Sequence, residues 1–130
     1  KDELIVAISS EHKFSQHDKL TFDDIKNENF ILMNPYTSIY KLCINKLKEN
    51  NIDANIIRTA RTESIIGSVA INEGISLLPK SNFEVFHKKN INTISLKPQI
   101  ALSVVLAKHK KTASNIAIKE FIKFVDTITN

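Results

Sequence analysis

The side chains of this chain that could do chemistry gather in three short groups: Ser9 and Ser10, then Asn34, Tyr36, Thr37 and Ser38, then Arg61, Thr62 and Glu63. Each group is rich in hydroxyls, amides or charge and stands where an expected strand gives way to a helix. Residues of this kind hold a small polar molecule by hydrogen bonds, and Arg61 adds a fork that suits a carboxylate. The same positions also read as plain structure, with Thr37, Ser38 and Thr62 as helix N-caps and Asn34-Pro35 as a turn.

Other chemistry finds no support. Two glycines, Gly67 and Gly74, cannot supply a P-loop, a dinucleotide fingerprint or a nucleophile elbow. The four histidines, His12, His17, His87 and His109, fall in expected loops or at element ends without the pairwise spacing of a metal site. The adjacent carboxylates Asp23-Asp24 follow Thr21-Phe22 and read as a helix capping box rather than an acid/base pair. Cys43 lies between Leu42 and Ile44, so it reads as a packed thiol; a single cysteine excludes an internal disulfide and fits a reducing compartment. We therefore expect no catalysis, no metal and no cofactor.

The elements that must position these groups follow from hydrophobic spacing. Leu4 to Ser9 is an apolar strand, Ser10 to Leu20 a polar loop, Thr21 opens a short helix, and Phe30 to Met33 is a second strand. Asn34 to Ser38 turns the chain into a helix from about Ser38 to Asn50, with Ile39, Leu42, Cys43 and Leu47 inward. Ile56-Ile57 begins a third strand. From Thr62 to Pro79 the sequence TESIIGSVAINEGISLLP reads as a helix with Ile65, Ile66, Val69 and Ala70 on one face, a left-handed cap at Gly74, and a buried strand Ile75 to Leu78. A helix feeding straight into a continuous apolar strand is half of a parallel βαβ layer, so the fold class is α/β. Gly67, in mid-helix, implies close packing there against a strand or a neighbouring chain.

Beyond Pro79, Ser81 to His87 reads as a short helix with Phe83 and Phe86 inward, Ile91 to Leu96 as a strand broken by Pro98, and Leu102 to Ala107 as another strand. A closing helix places Ile118, Phe121, Ile122, Val125 and Ile128 on one face. The 130 residues, 42% of them hydrophobic, suffice for one domain core, and no tract is long enough to span a membrane. The formal charge of +4 is spread along the chain. Its densest run, Lys108-His109-Lys110-Lys111, has no interleaved aromatics or glycine and reads as a solvated connection, not a nucleic-acid contact. The opening Lys1-Asp2-Glu3-Leu4, with no methionine or leader, reads as the middle of a longer chain; its KDEL letters carry a signal only at a C-terminus.

In order, LIVAISSEHKF, LTFDDIKNENFILM, the RTESIIGSVAINEGISLLP run and LSVVLAKHKK before IKEFIKFV resemble the effector-binding domain of LysR-type transcriptional regulators over essentially the whole length. The glycine followed by an Ile-Ser-Leu-Leu-Pro strand is the most specific match. Glu11-His12-Lys13-Phe14 lacks the proline usual in the turn after the first strand, and Asn72 stands where a second glycine is frequent. The resemblance implies one Rossmann-like lobe of the type II periplasmic-binding-protein-like fold, a mixed sheet flanked by helices. Residues 10–98 would form the second lobe, 1–9 and 99–130 the returning part of an incomplete first lobe, and the DNA-binding winged helix-turn-helix is absent from this chain.

By that resemblance the chain senses a small-molecule effector, of the small organic acid kind, for a cytoplasmic homo-oligomeric regulator that touches promoter DNA only through its missing N-terminal domain and involves no membrane. The positions that match family effector contacts are Tyr36, Ser38, Tyr40, Thr62 and Ser103, and the strand-end groups add Ser10, Asn34, Thr37 and Arg61 as expected contacts. A fragment of a type II solute-binding protein or transport receptor is the alternative reading. An enzyme reusing the fold would require a cluster of shifted titratable groups, which the sequence does not offer.

Overall fold

A computed structural model of the chain describes residues 2–85 and 89–102. Its elements run β1 (Asp2–Ser9), β2 (Lys19–Leu20), α1 (Phe22–Ile25), β3 (Asn29–Met33), α2 (Ser38–Glu49), β4 (Asn55–Ala60), α3 (Thr62–Ala70), β5 (Ser76–Pro79), α4 (Lys80–Val85) and β6 (Ile91–Leu102). Strands β2-β6-β1-β5 form one sheet and β3-β4 another. Ile75, just ahead of β5, joins them: its N–H donates to Asn29 O and its carbonyl accepts from Ile31 N–H, both at 2.8 Å. The strand sequence is therefore β2-β6-β1-β5-β3-β4.

The sheet is mixed. β3 and β4 are parallel, the Phe30–Ile75 bridge is parallel, and β1 runs antiparallel to both β5 and β6. The expected β–α–β relation holds for β4, α3 and β5, with β3 lying between the two strands.

Alternation along β1 explains the two-sided core. Leu4, Val6 and Ile8 pack on one face with Phe22, Ile25, Cys43 and Leu47 from α1 and α2. Ile5 and Ala7 pack on the other with Ile65, Ile66, Val69 and Phe83 from α3 and α4. Because helices cover both faces, every residue of β5 is buried, which is why Leu77, Leu78 and Pro79 follow one another without a polar residue.

Thr21 forms the expected capping box: its hydroxyl accepts from Asp24 N–H at 3.1 Å, and the Asp24 carboxylate accepts from Thr21 N–H at 2.9 Å. That bond to the Thr21 backbone holds the Asp24 carboxyl below its ordinary value. Burial pushes the Cys43 thiol up to about 12, in keeping with a packed thiol rather than a nucleophile.

Several expectations are corrected. The left-handed residue after α3 is Asn72 (φ 63°), and Gly74 has no positive φ. Gly74 is required because a Cβ there would stand 2.8 Å from Asn29 O, at the seam between β3 and β5. At Gly67 a Cβ would meet nothing within 4 Å among the described residues, so no strand of this sheet packs closely on it. Pro98 does not end a strand: β6 runs through it, and the ladder to β1 steps from Leu4–Ile100 to Ile5–Ser95, so Leu96 to Gln99 bulge out instead. The loop Ser10 to Leu20 ends in a short strand, Lys19 and Leu20 pairing with Ser95 and Leu96. Residues 2–9, assigned by resemblance to a neighbouring lobe, form a central strand of this sheet. Phe86, His87, Leu102 to Ala107 past Leu102 itself, the basic run and the closing helix lie outside the described residues.

Candidate functional site

The carboxyl ends of β3 and β4 set the site. Met33 and Ala60 are paired across the parallel ladder, so Asn34 and Arg61 leave the sheet side by side, about 5 Å apart by strand spacing. β3 passes through the Asn34–Thr37 turn into α2 and β4 passes through Arg61 alone into α3, so the first turns of both helices lie at one edge. At an edge of this kind an open α/β sheet takes its ligands.

The two helix starts differ. Thr37 caps α2: its hydroxyl accepts from Tyr40 N–H at 3.1 Å and donates to Asn34 O at 2.7 Å, which closes the Asn34–Thr37 turn. The cap reading is thus correct for Thr37, and its hydroxyl keeps only one lone pair. Arg61 is the N-cap of α3 and its side chain makes no capping hydrogen bond. The first turn of this nine-residue helix is therefore not capped by the Arg61 side chain, and its positive end lies at the edge beside that exposed residue.

Thr62 is 8% exposed and points into the fold. Its hydroxyl donates to Met33 Sδ at 3.4 Å and accepts from Asn82 Nδ2 at 3.2 Å. It serves as a strut between β3, α3 and α4 more than as an open donor. Tyr36 is 77% exposed, with its phenol oxygen accepting from Asn34 Nδ2 at 3.3 Å, and Tyr40 is half-buried against the core. Ser38 begins α2 at the same edge.

Seven of the expected contact residues, Asn34, Tyr36, Thr37, Ser38, Tyr40, Arg61 and Thr62, are thereby brought to one edge. Ser10 is not among them. It follows β1, and β1 runs against β3, β4 and β5, with Leu4 beside Pro79 and Ala7 beside Ser76. Its end lies at the opposite edge, where Ser10 N–H donates to Asn90 O at 2.9 Å. The reason is strand direction, which hydrophobic spacing does not encode. Ser103 lies outside the described residues; β6 reaches the ligand edge at Leu102, paired with Asp2.

Two contributors were missed by sequence reasoning. Asn82 supports Thr62, and Asp2 accepts from Ser81 N–H (3.0 Å) and Ser81 Oγ (2.6 Å), fixing the start of α4 to the start of β1. The signal for Asn82 was its place three residues past Pro79, at a third strand end of the same edge. Asp2 gave no sequence signal, since its bond spans 79 positions.

Comparison with known proteins agrees in fold and family. The family model for the LysR substrate binding domain matches residues 1–128. The HTH-type transcriptional regulator SoxR of Arthrobacter sp. (strain TE1826) is 26% identical over 117 residues, covering 89% of this chain and 40% of that protein. A probable RuBisCO transcriptional regulator of Thalassiosira pseudonana is 32% identical over 90 residues, 65% of this chain and 29% of its own. Among solved structures, the effector binding domain of QuiR in complex with shikimate superposes with a TM-score of 0.67 at 23% identity, covering 74% of this chain and 46% of that one. The BenM effector binding domain with its effector benzoate gives 0.66 at 22% identity, with the same two shares. The chain thus spans less than half the length of each of these relatives.

Proposed function

Since the chain belongs to the LysR substrate-binding domain family, we propose that it forms the second lobe of the effector-sensing part of a DNA-binding transcriptional regulator, with its ligand held at the edge formed by Asn34–Tyr40 and Arg61–Thr62. The observation that carries this reading is the pairing of Met33 with Ala60, which sets a capped turn and an uncapped helix start side by side. The chain enters at Asp2 and leaves β6 at Leu102 on that same edge, so whatever joins at either end is connected beside the ligand site. The chain beyond Leu102, rather than from residue 99, would then return to a first lobe that closes over it.

The effector is a small organic acid. Its carboxylate would meet the Arg61 guanidinium and the free amides of α3, while Tyr36 and Tyr40 supply aromatic and hydroxyl contacts. Shikimate and benzoate, carried by two structural relatives, are acids of this size. Ligand closure between lobes would shift the arrangement of a cytoplasmic homo-oligomer and so its hold on promoter DNA, without catalysis. Among the described residues no helix is long and apolar enough to cross a membrane.

The test is a binding screen of small carboxylic acids on the complete protein, followed by Arg61→Ala. The variant should weaken the responsive acid by about tenfold or more, the worth of a charge-assisted pair. Unchanged affinity for every responsive acid would remove Arg61 and the edge from the account.

A further inference from the structure

A second cleft, of about 380 Å³, opens away from that edge, between the last turn of α2, the start of α1 and the bulge in β6. Phe22 and Ile100 give it an apolar floor, Pro98 and Gln99 a rim, and Lys46, Glu49 and Asn50 a polar wall. Lys46 is the unusual member. It is only 8% exposed, yet its ammonium donates no hydrogen bond among the described residues, and its ion pair with Glu49 Oε1 is a loose 3.7 Å. Glu49 is itself 59% exposed, so water screens it.

A cation in the last turn of a helix is favoured by the helix dipole, which explains the charge but not its burial beside an open cleft. Its stem is buried while the ammonium opens on the cleft, and among the described residues the loose pair with Glu49 is all that meets that charge. The bulge makes the room: Leu96 to Gln99 lack partners on β1.

We propose that this cleft is a second ligand site, for a small monocarboxylate with an apolar body. The carboxylate would accept from Lys46 Nζ, the apolar part would lie on Phe22, Pro98 and Ile100, and the Gln99 amide would close over it. The volume sits at the small end of ligand pockets, which limits the occupant to a single ring or a short chain. α2 links the two sites, since Ser38 lies at the effector edge and Lys46 about 12 Å further along the same helix. Occupancy of one therefore bears on the helix that frames the other.

The test uses the 130-residue chain and 3-phenylpropionate as probe, titrated to about 20 mM, with backbone amide shifts as readout, a range that saturates a site of about 1 mM affinity. Saturable shifts at Phe22, Lys46, Asn50 and Gln99 are expected, with none from the uncharged amide of the same acid. Lys46→Met keeps the buried stem and removes the charge, and should weaken binding about tenfold or more. Glu49→Gln removes a repelling carboxylate at an exposed position and should tighten it about twofold. Arg61→Ala should leave these shifts unchanged, which separates this cleft from the effector edge. Shifts confined to the Asn34–Tyr40 and Arg61–Ser64 amides, no saturable shifts at all, or equal binding of the uncharged amide would overturn the proposal. Should Lys46→Met fail to fold, a failure of Glu49→Gln to tighten binding would do the same.

Discussion

Gly67 and Gly74 make opposite predictions from one kind of substitution. At Gly74 an added methyl stands 2.8 Å from Asn29 O and 3.3 Å from its carbonyl carbon, both backbone atoms that cannot swing aside. That oxygen already accepts from Ile75 N–H, and Ile75 O accepts from Ile31 N–H, so relief of the clash separates β3 from β5. Two weakened hydrogen bonds at roughly 1 kcal/mol each and an overpacking cost of roughly 1 to 3 kcal/mol outweigh the 0.4 to 1 kcal/mol that Gly→Ala recovers from the unfolded chain, for a net loss of about 2 to 4 kcal/mol. At Gly67, inside α3, an added methyl meets nothing within 4 Å among the described residues. Gly67→Ala should therefore stabilise by up to about 1 kcal/mol through helix propensity. Urea unfolding of the 130-residue chain reads both: with a slope of about 2 kcal/mol per molar, Gly74→Ala moves the midpoint down by about 1 to 2 M and Gly67→Ala moves it up by a few tenths. A neutral Gly74→Ala would refute the seam between β3 and β5, and with it the placement of the Asn34 turn that β3 carries. A destabilising Gly67→Ala would mean that α3 packs on something outside the described residues.

Thr21→Ala should cost about 1 kcal/mol by loss of the cap, measured by the same unfolding curves. Because the folded-state value of Asp24 lies below its unfolded one, the stability it contributes is present above the unfolded value and is lost as pH falls through the folded one. The gap between wild type and Thr21→Ala should accordingly narrow on acidification; a constant gap would contradict the box. Cys43, with its thiol pushed up to about 12 and fully buried, should resist a thiol reagent at pH 8 until the chain is unfolded, and rapid labelling of the native chain would count against its burial in the core. The chain should self-associate at tens of micromolar, roughly the range of ordinary family-type contacts, and light scattering that shows only a monomer would contradict this.

Much of the fold was legible because it rests on short-range rules. The Thr21 box, the Thr37 start of α2, its end at about Asn50 and the buried SLLP strand all depend on neighbours within a few positions. What failed depends on the third dimension. The left-handed turn falls at Asn72 and not at Gly74, whose own constraint is the close approach to Asn29 two residues later, which only the partner strand reveals. Pro98 was read as a breaker, whereas a bulge lets β6 carry it outside the ladder. Ser10 was grouped with the site by residue type, and the direction of β1 sent it to the opposite edge. Thr62 stands at the start of α3, where the spacing puts it, but its bonds to Met33 and Asn82 turn it inward.

The most direct measurement is to read the coding sequence upstream of Lys1. A winged helix-turn-helix followed by a first lobe is the predicted result, and it would join this ligand edge to a DNA-binding domain. A signal peptide leading straight into a first lobe would contradict the regulator and make the chain part of a solute receptor.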